Sequence, residues 1–156
     1  MVRSIYSETG FSRSALFLLV VADFVLLNNV VLLTFINQGS FVVLFQLVHI
    51  LTITFGFIVM VYGRRARVML NILLYIYITA VLLDAVSLLM RAVLFVKAWS
   101  STENECNTIR QQVIMYWQIF LLSVVDGFGA HFADRLRVCY AEEVRTLEAL
   151  KDANEV

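Results

Sequence analysis

Three aspartates, Asp23, Asp84 and Asp126, lie in the middle of long apolar stretches. A carboxylate inside a bilayer is costly, so each of these acids needs a partner or a purpose. Asp23 lies ~13 Å from the basic end of its stretch at 1.5 Å rise per residue, and Asp126 lies at a comparable depth. Two carboxylates at one level can share a proton or a cation. The structural alternative, in which each is neutral or bonds to a hydroxyl, an amide or an arginine, is the default for single intramembrane acids. Asp84 and Arg91 share a helix face but stand ~10 Å apart along the axis, too far for a direct pair. Arg91 is near enough to the membrane edge to snorkel, and Asp84 is expected to meet Asn28 or Asn29, which lie at a similar depth.

The two histidines raise the question of haem, since a helical bundle can hold one between two imidazoles. Depth argues against it. His49 lies ~12 Å below the outer edge, whereas His131 lies near the inner edge, ~30 Å from the outer one. A haem shared with another subunit stays open. His49 is therefore expected to be a hydrogen-bonded interhelical residue and His131 an interfacial one. Neither has zinc-type spacing. No nucleophile, metal or cofactor constellation stands out, so the expectation is a protein that is not an enzyme, with no cofactor.

Four apolar runs must position these groups, at about 14–36, 41–62, 69–96 and 111–133. Each reaches the ~20 residues that a transmembrane helix needs. The apolar fraction is 61% and the mean hydropathy +0.84, beyond the roughly half that soluble domains show. There is no proline, which predicts uninterrupted helices rather than the broken ones of many transporters. The fold class is thus all-α integral membrane: a short leader (1–13), a four-helix transmembrane domain with short loops (14–133), and a fourth helix extended into an amphipathic tail (134–156).

Residues three, four and seven apart share a helix face. Gln46, His49, Thr52 and Gly56 form one stripe in the second span. Tyr77, Ala80, Asp84, Ser87 and Arg91 form another in the third. Gln112, Ile119, Asp126, Ala130 and Ala133 line up in the fourth, flanked by Ser123 and Gly127. Such faces point into a bundle or at a partner. The first span differs: Asp23 and Thr34 share a face, but Asn28 and Asn29 point roughly 140° and 240° away from it. Polar groups on several faces imply protein on several sides, hence further membrane subunits besides lipid.

Arginine placement orients the chain. Arg3, Arg13, Arg64, Arg65, Arg67, Arg135 and Arg137 fall on one side, against Lys97 and Arg110 on the other, where Glu103 and Glu105 offset them. Both termini should face the cytoplasm or matrix. Polar turns are expected at residues 37–40, a basic connector at 63–67 and the longest loop at 97–110. The leader holds two arginines and one acid, which leans toward a retained organellar segment and the mitochondrial inner membrane. Trp99, Tyr116 and Trp117 at one boundary and Tyr62 at the other make an aromatic belt. Cys106 and Cys139 fall on opposite sides and cannot pair. The zero net charge argues against a nucleic-acid partner.

In the tail, Leu136, Tyr140, Val144, Leu147 and Leu150 recur at helical spacing, with acids and bases on the remaining positions. Surface-lying membrane helices are usually basic, so this mixed helix is expected to dock on a partner protein. The functional expectation is a non-catalytic accessory subunit of a multisubunit membrane complex, such as a respiratory or ATP-synthase assembly. The alternative is a small proton or ion channel or transporter using the intramembrane aspartates.

Overall fold

The computed structural model describes residues 2–34, 40–63, 67–100 and 106–154. These form four α-helices: α1 (Val2–Thr34), α2 (Ser40–Tyr62), α3 (Arg67–Ser100) and α4 (Cys106–Asn154). Among the described residues there is no strand. In lipid every backbone amide must be satisfied within its own segment, which an unbroken helix achieves, and the absence of proline leaves nothing to break one. α2 stops where Gly63 takes a left-handed φ of 54°, a conformation that favours glycine and closes helices. The turn centred on Asn37 and Gln38, the arginines Arg64 and Arg65, and the loop acids Glu103 and Glu105 lie outside the described residues.

All four helices are long and apolar enough to cross a bilayer, so the chain is a four-span helical membrane protein. Its outward faces carry Leu18, Phe24, Val61, Leu82, Leu89 and Phe128, all exposed, while Asp23, His49, Thr52, Asp84, Ser87 and Asp126 are buried. A water-soluble domain distributes these types the other way round.

Packing joins α1 to α2, α2 to α3, α3 to α4, and α4 back to α1. Neighbours run antiparallel. The Arg13 guanidinium at the start of α1 donates to the Met60 carbonyl at the end of α2. Phe11 meets Phe132 edge-on at 6.0 Å. On the far side Arg91 of α3 donates to Gln112 of α4 at 3.0 Å. The result is an up-down-up-down bundle closed into a ring.

One boundary differs from the sequence reading. Residues 8–13 belong to α1 within the bundle. Thr9 and Ser12 are buried, and Glu8 accepts from Arg135 at 2.6 Å. No breaker separates them from the apolar run, so the helix simply starts earlier. At the other end, α4 continues for 49 residues, ~74 Å of helix, well beyond the ~30 Å of hydrocarbon it has to cross.

Candidate functional site

Each helix contributes one ionisable side chain to a single point inside the bundle: Asp23 from α1, His49 from α2, Asp84 from α3 and Asp126 from α4. All four are fully buried. Shared register explains the meeting. Counting from the Arg13–Met60 contact, Asp23 lies ten residues along α1 and His49 eleven residues back along α2, ~15 and ~16.5 Å from the same level.

Geometry at the histidine is the most informative. Its Nδ1 lies 2.8 Å from the Phe45 carbonyl, one turn back. A carbonyl only accepts, so Nδ1 carries the proton and donates it. Phe45 also packs its ring on the imidazole, with centroids 4.4 Å apart. Orientation and tautomer are both held. Nε2 then faces Asp126 Oδ2 at 3.1 Å and Asp84 Oδ1 at 3.5 Å. In a neutral imidazole this places a nitrogen lone pair against carboxylate oxygens. The contact is repulsive unless a proton, carried by Nε2 or by a carboxyl group, or a bound cation lies between them.

The remaining oxygens deepen the point. Both oxygens of Asp23, both of Asp84 and Oδ1 of Asp126 are buried without a hydrogen-bond partner. Buried carboxylates that form part of the packing normally have their lone pairs satisfied. The donor atoms of Asp23, His49 and Asp126 all lie within 4.8 Å of one another. Tyr77, whose buried hydroxyl also has no hydrogen-bond partner, stands within electrostatic range of Asp23 and Asp126.

Buried apolar residues bracket the site on every helix. Val20 and Leu27 flank Asp23, Phe45 and Ile53 flank His49, and Leu122 and Ala133 flank Asp126; on α3, Ala80 lies before Asp84 and the part-buried Leu88 after it. The hydroxyls nearest in sequence are turned to their own helices: Thr52 donates to the Val48 carbonyl at 3.0 Å and Ser87 to the Leu83 carbonyl at 2.8 Å. The four groups thus form a closed polar chamber in an apolar column.

No family model, no curated protein and no solved structure matches this chain.

Of the residues singled out in the sequence, Asp23, His49, Asp84 and Asp126 come together. Asp84 meets His49, not Asn28 or Asn29. Those two asparagines are exposed on the outward side of α1, because their helical angle carries them away from the face that Asp23 shares with the bundle. Arg91 is half-buried and engages Gln112, apart from Asp84 as its spacing requires. His131 is exposed, with its ring against Phe132 at 5.4 Å. The tail face divides. Leu136 and Tyr140 are buried with Leu16, Leu70, Leu73 and Tyr77, so these two dock on the chain itself and not on a partner. Val144 and Leu147 are exposed, and the Leu150 side chain lies outside the described residues.

Depth counting anticipated the level shared by Asp23 and Asp126, but not His49 as their centre. Counted from the opposite edge of its span, His49 has no depth in common with His131, and that comparison does not bring it to the acids. Pairing the polar stripes of the second, third and fourth spans level by level would have found it.

Proposed function

We propose that the chain handles a small cation: it takes up a proton or a metal ion at Asp23, His49, Asp84 and Asp126 and passes it across the bilayer. One observation carries this reading, the Nε2 of a tautomerically fixed imidazole facing two buried carboxylates. An intramembrane ionisable residue is a functional candidate by default, and here four converge with five carboxylate oxygens that make no hydrogen bond. A purely structural polar network is stabilising only when its members are satisfied. The apolar layers on both sides make this an occluded site, so passage requires the helices to part at one end and then at the other. Arginine placement orients the termini to the cytoplasmic or matrix side, and the two arginines against one acid in residues 1–13 favour an organellar inner membrane.

The test is reconstitution of the purified chain into liposomes with a pH-sensitive and a metal-sensitive dye inside. Cation entry that is lost in Asp126→Asn, with folding retained, is the expected result. Entry no faster than in empty liposomes removes the reading.

A second reading, a non-catalytic accessory subunit of a larger membrane complex, has its own support. Asn28 and Asn29 are exposed on a span, where lipid offers no hydrogen-bond partner and another subunit does. Co-purification in mild detergent with a defined set of partners, lost in the Asn28→Leu/Asn29→Leu double variant, is its signature.

A further inference from the structure

We infer that Asp23, His49 and Asp126 form a single-ion site for a divalent transition metal, of the class of Mn2+, Fe2+ or Zn2+, held by His49 Nε2 and one oxygen of each of the two carboxylates, with Asp84 beside it. This rests on the cation-handling reading and names its cation.

Spacing is the first support. Ligand atoms ~2.1 Å from a tetrahedral metal stand ~3.4 Å from one another. Nε2 stands 3.1 Å from Asp126 Oδ2 and 3.5 Å from Asp84 Oδ1, and the donor atoms of Asp23, His49 and Asp126 all lie within 4.8 Å of one another. Burial is the second. Asp23 is fully buried and neither of its oxygens has a hydrogen-bond partner. A proton on Nε2 would serve the contacts to Asp126 and Asp84 and still leave Asp23 unserved, whereas a metal ion held by His49 and Asp126 also takes an oxygen from Asp23. Charge is the third. With all three acids ionised and the imidazole neutral the charges sum to −3, which one proton lowers to −2 and a divalent ion to −1.

The donor set selects the ion. One imidazole nitrogen with carboxylate oxygens suits borderline divalent metals, whereas Mg2+ and Ca2+ favour oxygen alone and Cu+ favours sulfur. The outer shell is also present. Metal-bound histidines commonly donate their second N–H to a carbonyl or carboxylate, and His49 Nδ1 donates to Phe45. Four-helix bundles are known to build such sites from inward side chains on facing helices.

The experiment uses the full chain in detergent, stripped with a chelator and then equilibrated with Mn2+, Zn2+ or Co2+ in the presence of excess Mg2+. Elemental analysis should find one transition-metal ion per chain, and Co2+ should give the visible bands of a nitrogen-bearing site of low coordination number. His49→Gln and Asp126→Asn should each weaken binding by more than the roughly 10–100-fold that loss of an outer-shell partner produces. His131→Gln, on the exposed surface, should change nothing. A wild-type protein that retains no metal, shows Co2+ only as the hexaaqua ion, or loses its metal on His131→Gln overturns the inference, whether or not the buried variants fold. If metal is absent while liposomes still pass protons through an Asp126-dependent route, the metal assignment falls and cation handling stands. If both are absent, both fall.

Discussion

A single methyl group is enough to probe the packing beside the chamber. A Cβ on Gly129 would lie 2.4 Å from Cε1 and 2.5 Å from Cζ of Tyr77, and Tyr77 is fully buried. The ring has nowhere to go, so Gly129→Ala should destabilise by ~1–3 kcal/mol, as overpacked cores do. Thermal unfolding of the purified protein checks this, with a midpoint drop of roughly 2–4 °C per kcal/mol expected at this chain length. Gly127→Ala is the control, since a Cβ there meets nothing within 4 Å; an equal loss in both would refute the close approach. The glycine–alanine spacing around Gly129 was visible in the sequence as a permissive pair, but such pairs are frequent and do not reveal which ring fills the gap. The inward direction of Asp23, His49, Asp84 and Asp126 was legible because helical angle depends on position alone. The meeting of the acids with His49 was not, because it depends on the register between helices. The register that matters is fixed by Arg13 reaching the Met60 carbonyl, a contact between distant segments.

Among the elements, α4 is the one whose role changes most. Tyr140 lies outside the apolar run yet is buried against the ends of α1 and α3. Tyr140→Ala should cost about 3–5 kcal/mol, by analogy with buried aromatic truncations, and deletion of everything after Arg137 should unfold the same end of the bundle. Val144→Asp with Leu147→Asp falls on exposed positions, where substitutions usually stay within ~0.5 kcal/mol. Melting curves of the three variants in one detergent provide the comparison; a double variant as unstable as Tyr140→Ala would show that the outer tail also packs on its own chain. The amphipathic pattern of the tail was readable from spacing, but spacing is silent on what covers the apolar face. The bundle covers its first half through Leu136 and Tyr140, while the outward half keeps the partner-docking expectation for Val144 and Leu147.

For the molecule as a whole, four antiparallel spans place the start of α1 beside the C-terminal half of α4, with Thr9 and Glu143 3.5 Å apart. Epitopes at the two termini should therefore be reached from the same side of sealed vesicles, and a cysteine placed in the 101–105 loop from the other. Labelling of loop and termini from one side would contradict the fold. The Glu8–Arg135 pair at this end is about half exposed and should add little stability, all of it sensitive to salt. Holding three acids at one buried point, by contrast, is a feature that stability alone does not favour. A binding site and a structural polar network therefore differ in sign when a charge is removed. The most direct measurement is the melting temperature of wild type and Asp23→Asn, each with a chelator and with a saturating divalent metal. A cation site predicts that Asp23→Asn is at least as stable as wild type in chelator, because a buried repulsion is relieved. It also predicts that metal raises the wild-type midpoint, through about 2.7 kcal/mol of added stability at a hundred times Kd, and that the variant loses this rise. An asparagine variant that melts several degrees below wild type in chelator, with no metal-dependent rise in either protein, would contradict it.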